Sequence, residues 1–461
     1  MTSPDALLPD TFSRWQLPHT VPVDHALPVL ATVDVVVIGA GAAGVAAATV
    51  AAEAGLSVII VERYGFAGGA AVAGLSGTIC GLYLASDDRD AAPTQIVFGF
   101  TERFRAALAD RGGVTEPQRY GKTFTVAHDP FRWREVADDL MLRAGVRIMY
   151  HTAVSAVIVS HDQHHGVIVE SNAGRVAIHA SRTIDASGDA AVVSRAGGAY
   201  TFGDGGRIQN PTMFFRLGNV DTDRFWADFG DDTICSPELS AHIVAARTAG
   251  EDLPREKIWV FRTTRPGELL VNATRLTAPN GRMLNVIDPE DFTLAEIDGR
   301  RQVRSYASFF ARTIDGCADS FVVDTGVEAG IRQTRSIRAV RTLTNADVLG
   351  CVSDPTGIAR SPWPIEVHSG ARPTLHWLID NFYEVPYLTL VPERGENIIV
   401  AGRCLGAEHE ALASARVTAQ CFEYGAAAAV ATVLSLTDDL PYRAVDGAHV
   451  RHELVRRGSA L

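Results

Sequence analysis

Residues 33–63, VDVVVIGAGAAGVAAATVAAEAGLSVIIVER, constrain the fold more than any other stretch. A short apolar run from Val33 to Ile38 meets three glycines, Gly39, Gly41 and Gly44, at the spacing G-x-G-x-x-G. An Ala-rich segment then runs to Gly55, a second apolar run covers Val58 to Val61, and Glu62 closes it. The order reads as strand, tight turn, helix, strand and acid. Gly39 permits the turn, Gly41 lets the backbone approach a pyrophosphate, and Gly44 lets helix and strand pack closely. The helix start offers unpaired N–H groups and about half a positive charge to phosphates. Gly55 suits the left-handed position past the helix end. Glu62 stands where a carboxylate accepts bonds from ribose hydroxyls. Two plainer readings compete: a core βαβ unit without ligand, and a membrane-spanning helix, since Val35 to Ala52 carries no charge. The flanking strands and the acid weigh against the first, the glycine cluster and the β-rich restart against the second.

A chain of 461 residues exceeds one ordinary core, so two or more domains are expected. Hydrophobic content of 47% with 21% charged residues fits a soluble globular protein. A formal net charge of −12 disfavours nucleic acid as a partner. The cysteines, Cys80, Cys235, Cys317, Cys351, Cys404 and Cys421, form no C-x-x-C pair. Neither an iron–sulfur cluster nor a zinc site is therefore expected, and reduced thiols in the cytoplasm are. Met1 to Pro28 lacks a basic segment followed by an apolar one and reads as an irregular arm without a targeting signal.

After Glu62, the glycines from Gly68 to Gly81 imply backbone passing close to something flat or bulky, in a nucleotide-binding protein the rest of the cofactor. Helical spacing marks Ile96 to Leu108, and Pro130 to Ala144 with Asp129 as its N-cap. Val146 to Tyr150 is a strand. Val154 to Val159, Gly166 to Glu170 and Arg175 to His179 read as an antiparallel meander inserted into the dinucleotide fold, and a strand ending at Ile184 returns the chain to the parallel sheet. Gln209 to Glu384 is richer in aromatics, with alternation at Met213–Leu217, Ile258–Phe261 and Glu268–Val271 and helical spacing at Ala295–Ile314; it reads as an α+β substrate domain. Asn397 to Ala401 is a buried strand leading to GRCLGAEHEALASARV and an Ala-rich helix.

Four stretches carry a family resemblance: VVVIGAGAAGVAAA with VER and a following GG, TIDASGDAAV, GIRQTRSIRA, and VPYLTLVPERGENIIVAGRCLGAEHEALASARV. Together they resemble the FAD-dependent oxidoreductases among the two-dinucleotide-binding-domain flavoproteins. The resemblance implies an α/β fold: a Rossmann-like FAD-binding domain with parallel sheet and β-meander, discontinuous over 33–208 and 385–436. The α+β substrate domain, 209–384, is inserted in it, with an arm at 1–32 and a tail at 437–461. It implies FAD lying extended. Gly39, Gly41, Ala42, Ala43, Gly44 and Glu62 hold the ADP half, with Arg63 beside the ribose and Val154 touching adenine through its backbone. Gly68, Gly69 and Ala70 lie near the pyrophosphate and ribityl chain. Gly402, Arg403, Ala415 and Arg416 reach the flavin end, and Ser187, Gly188 and Asp189 complete the pocket.

The chemistry expected is hydride transfer from a small organic substrate to flavin N5, often with a base to take a proton. His409, with Glu410 beside it, is the first candidate by location and His368 the second; packing and surface roles are the plainer readings. Arg332 and Arg335 either clamp a carboxylate or make structural salt bridges. Tyr387 is a candidate hydrogen-bond donor, and Cys80 and Cys404 read as inert thiols rather than flavin attachments. No second dinucleotide motif and no C-x-x-x-x-C pair is present, which argues against a pyridine-nucleotide disulfide reductase. The alternative is a flavin-bearing electron-transfer subunit working with partner proteins. An NAD enzyme leaves the Gly402–Val417 signature unexplained. Oxygen, a quinone and a protein carrier remain open as electron acceptor, as does self-association.

Overall fold

The computed structural model describes residues 26–160, 163–368 and 373–461. Most of the arm expected at 1–32 lies outside them. Its last residues are strand: β1 spans Val29–Ile38 and starts ahead of Val33, because Val29 to Thr32 pair with residues 177–179. The helix α1, Ala42–Glu53, and β2, Val58–Val61, complete the opening βαβ half. The helix α2, Pro130–Ala144, has the expected bounds. Its Asp129 cap accepts from Phe131 N at 2.8 Å and Arg132 N at 3.0 Å, worth about 1 kcal/mol, and Gly145 ends it in the left-handed region.

The main sheet has seven strands. After α2 come β3 (Arg147–Met149), β4 (Ala153–Ser160), β5 (Gln163–Ser171) and β6 (Gly174–Asp185), and β7 (Ile398–Val400) arrives from the far end of the chain. The order is β3-β2-β1-β6-β5-β4, with β7 pairing β6. The meander is therefore not a separate insert. Its third strand and the strand expected to end at Ile184 are one element, β6, parallel to β1 along its length. The first half of β6 pairs antiparallel with β5 and the second half parallel with β7, so the sheet forks there. Ile38 lies level with Val61 and with Asp185, and Asp185 with Val400. The turns after β1, β2, β6 and β7 thus emerge along one edge, where ligands bind in such sheets.

Helix α1 is alanine-rich and buried from Ala43 to Ala51. Small side chains let it approach the last long helix closely. A Cβ at Gly425 would meet the Ala43 carbonyl at 2.0 Å, so only glycine fits there. That last helix, Thr418–Thr437, is long and apolar enough to cross a membrane by length and composition alone, but most of it is buried within the protein.

A second, antiparallel sheet has the order Trp259–Arg262, Leu269–Asn272, Phe215–Gly218, Phe321–Thr325. Met213, Phe215, Leu217, Val260, Leu269 and Val271 pack with Ala295, Val303, Tyr306 and Phe309 of the helix α3, Pro289–Thr313, into a core of their own. Residues from Ile337 to Tyr383 pack instead with the parallel sheet. A small third cluster, including Tyr120, Phe214, Trp259, Phe261 and Trp363, stands apart from both cores.

Candidate active site

One cavity of about 590 Å³ is lined both by the turns at the carboxyl edge of the parallel sheet and by the four-stranded sheet. On the parallel-sheet side, Gly39 turns the chain at φ +92°. A Cβ on Gly44 would lie 1.8 Å from the Gly39 carbonyl oxygen, so Gly44 serves helix–turn packing. Gly41 differs: the nearest protein atom to a Cβ there is Gly69 Cα at 3.8 Å. Its open side faces the cavity, and no side chain caps α1. An uncapped helix start beside free space suits a diphosphate. Gly69 sits on this turn, its own missing Cβ 2.9 Å from Gly41 Cα, and Gly68 N donates to Ala40 O at 2.8 Å.

Glu62 is buried at the end of β2. Its carboxylate accepts from Ala40 N at 2.7 Å and Tyr64 N at 3.0 Å, which fixes it to the first turn, and burial pushes its pKa up. Arg63 pairs with Glu328, which also accepts from the Tyr64 hydroxyl. Asp185 closes β6 by accepting from Ser187 Oγ at 2.5 Å and Val192 N at 2.8 Å. This shapes the Ser187–Asp189 turn, where Gly188 has φ +76°. Asp189 pairs with Arg403 at 2.8 Å and accepts from Thr334 Oγ1 at 2.7 Å, and Arg403 Nη1 donates to Thr334 at 3.0 Å. The turns after β6 and β7 and the 330–335 segment are locked together by these bonds.

Of the residues expected to hold the cofactor, Gly39, Gly41, Ala42, Ala43, Glu62, Arg63, Gly68, Gly69, Ala70, Val154, Ser187, Gly188, Asp189, Gly402, Arg403 and Arg416 line this cavity. Gly44 and Ala415 do not; Ala415 is buried, its carbonyl accepting from the Tyr424 hydroxyl at 2.8 Å.

The other wall holds Cys80, Tyr120, Phe214, Phe261, Asn272, Arg332, Trp363, Glu366 and His368. His368 is 4% exposed, against the surface position expected of it. Its Nε2 stands 3.5 Å from Glu366 Oε1, and the same oxygen accepts from the Tyr120 hydroxyl at 2.6 Å. Burial, and next the Arg332 guanidinium, lower the His368 pKa to about 3, so the ring is neutral at pH 7. Glu366 is held down to about 2 against its burial, and with the His368 ring neutral the Tyr120 bond and the Arg416 guanidinium favour its charged form. The sequence reading missed Tyr120, Glu366 and Glu328. Glu366 was within reach of it, since residues two apart on a strand share a face.

His409 begins the short helix His409–Ala415, half-buried, and does not line the cavity. Arg335 lines it and lies over the Tyr200 ring. Tyr387 is buried elsewhere, donating to Tyr442 O at 2.8 Å. Cys80 lines the wall, its thiol between Thr78 and Thr125 and pushed up to about 11 by burial. Cys404 is buried and weakly bonded to carbonyls. Among the described residues, no group of three or more His, Cys, Asp or Glu side chains is placed to hold a metal ion.

A sequence model of the family described as FAD dependent oxidoreductase matches residues 34–454. No curated protein matches the chain. Among solved structures, it is similar to a geranylgeranyl bacteriochlorophyll reductase-like protein from Thermoplasma acidophilum, with 15% identity and a TM-score of 0.50 over 93% of this chain and 84% of that one. A flavin-dependent brominase gives 14% and 0.48 over 92% and 83%. The p-nitrophenol 4-monooxygenase of Pseudomonas putida gives 12% and 0.46 over 92% and 84%. At such identities the first likeness speaks for the fold alone.

Proposed function

The chain belongs to the FAD-dependent oxidoreductase family, and on that premise we propose that it oxidises a small organic molecule, with His368 as the base. FAD supplies a hydride acceptor at N5. The residues fit it: the uncapped α1 start with the open side of Gly41 suits the diphosphate, Glu62 suits the ribose, and Arg403 and Arg416 line the same cavity. The substrate-facing part of the chain would be 209–329, the residues sharing the second core, together with the 363–368 segment.

The observation that carries the reading is the chain Tyr120–Glu366–His368 in the wall of the same cavity. A neutral imidazole can accept a proton. The Glu366 carboxylate beside it stabilises the cation that results, and the Tyr120 hydroxyl fixes that carboxylate. Aromatic neighbours exclude water: Trp363 lies 4.9 Å from the Tyr120 ring and Trp259 5.5 Å from His368.

The test is anaerobic stopped-flow bleaching of the flavin band, using the substrate found by a screen for such bleaching. His368→Asn is expected to slow flavin reduction by roughly 10²-fold or more while FAD content stays at the wild-type level. Unaltered reduction in His368→Asn, or a larger loss in His409→Asn, would remove His368 from this role.

A further inference from the structure

The arginines that line the cavity differ in how they are met. On the nucleotide side, Arg63 is matched by Glu328 and Arg403 by Asp189. Around Glu366 the balance fails. Arg332 is 6% exposed, lines the cavity, and donates to the Asn210 main-chain oxygen at 2.7 Å. Among the described residues no other acceptor, and no carboxylate within ion-pair distance, meets it. Arg416 lines the same wall, donates to Gln209 Oε1 at 3.0 Å, and leaves its buried Nε without a partner. Behind them Arg255 is fully buried. Its Nε donates to Thr274 O at 3.0 Å, and both terminal nitrogens are unpartnered.

Three guanidiniums thus face one carboxylate, Glu366, which is already engaged by Tyr120 and His368. Arginine does not shed its proton in a protein, so neutralisation by deprotonation is closed to it. A buried charge without a counter-charge is costly, and the cost is recovered when an anion arrives. The diphosphate does not meet this need, because its place at the α1 start is on the other wall. Phe214, Phe261 and Trp363 line the cavity beside the arginines, so the anion's remainder meets apolar surface.

We propose that this wall is a carboxylate subsite: the substrate is an organic carboxylate with an apolar or aromatic body, clamped by the planar fork of Arg332 and assisted by Arg416. The proposal rests on the reading of the cavity as an FAD-dependent oxidation site and names its substrate class. It also places a negative charge beside His368, which offsets the influence of Arg332 and makes the ring a stronger base once substrate is bound.

Benzoate and its neutral counterpart benzamide are the probes, titrated against the FAD-loaded protein and read by the flavin difference spectrum and by thermal shift. Benzoate is expected to saturate, and benzamide to bind at least tenfold more weakly. Arg332→Met should weaken benzoate by tenfold or more, with FAD content unchanged. Arg332→Lys should recover part of the loss, since it keeps the charge but not the fork. Equal binding of the two probes, or wild-type benzoate affinity in Arg332→Met, would overturn the proposal. Tight binding of inorganic phosphate in competition with benzoate would overturn the choice of carboxylate. Should Arg332→Met fold poorly, Arg332→Gln, which keeps a polar donor and removes the charge and the fork, carries the same test. Benzoate binding retained in His368→Asn keeps this outcome separate from the base assignment: either one can fail while the other stands.

Discussion

Gly41 and Gly44 belong to one motif but are glycine for different reasons. At Gly44 the obstacle is protein, the Gly39 carbonyl 1.8 Å from a would-be Cβ. At Gly41 no protein atom is the obstacle: the nearest is 3.8 Å away, and the residue lines the cavity. Gly44→Ala should therefore destabilise the apoprotein by about 3 kcal/mol, the upper range for forced overpacking. Gly41→Ala should leave apoprotein stability within about 0.5 kcal/mol and weaken FAD at least tenfold. Urea unfolding of apoprotein and a flavin fluorescence titration measure the two effects. Equal destabilisation by both substitutions would show that the Gly41 side is not the cofactor's space. The spacing of the glycines was enough to find this turn, because each is dictated by local backbone geometry. The proposed base was harder. His409 was favoured for its nearness in sequence to Gly402, yet nearness along a helix start does not say which way a ring faces. The alternation Ile365-Glu366-Val367-His368 does put the acid and the imidazole on one face.

The segment after the strand Phe321–Thr325 links the two sheets across the nucleotide side. Glu328 N donates to Ala73 O at 3.1 Å, and its carboxylate takes both Arg63 and the Tyr64 hydroxyl. Gly330 pairs with Thr212 in an isolated bridge that continues the ladder between Phe215–Gly218 and Phe321–Thr325. This short strap therefore closes over the turn expected to hold the ribose. Glu328→Gln keeps the shape and removes the charge. It should raise the FAD dissociation rate about fivefold, the equivalent of about 1 kcal/mol for a pair whose arginine is half-exposed. Salt should speed FAD release from the wild type more than from the variant. Equal release rates in dilution experiments followed by flavin fluorescence would mean that the strap does not retain the cofactor. Nothing in the sequence announced this contact, since residues 63 and 328 meet only through tertiary packing. The same holds for β6. Arg175–His179 and the run ending at Ile184 look like two strands because the burial pattern changes midway, where the partner changes from β5 to β7. By contrast α2 could be bounded to the residue, because its Asp129 cap, Pro130 start and Gly145 stop are all local signals.

Three buried histidines tie the stability of the whole molecule to acid. His128 packs on Trp133 with neither ring nitrogen partnered, His164 bonds Thr183 under the main sheet, and His368 lies in the cavity wall. Burial is the main cause in each: the first two are lowered from 6.5 to about 4 and the third to about 3. Between pH 6.5 and those values the unfolded chain binds protons that the folded one refuses. The unfolded state is then favoured as pH falls, by up to about 1.4 kcal/mol per pH unit for each histidine. Buried carboxylates work the other way. Burial raises the pKa values of Asp185 and Glu423, so the folded state takes up their protons before the unfolded one, a gain on acidification. The histidine share can be isolated by difference. His128→Leu removes a titrating group without breaking a hydrogen bond, so any packing change enters as a constant offset. The stability of His128→Leu relative to wild type should be flat above pH 7. It should then rise as pH falls, by about 3 kcal/mol between pH 6.5 and 4, the 2.5-unit depression at about 1.4 kcal/mol per unit. Urea unfolding of both FAD-saturated proteins across that range measures it. Parallel curves would mean that His128 takes up its proton in the folded protein as readily as in the unfolded one, and that burial against Trp133 does not hold the ring neutral.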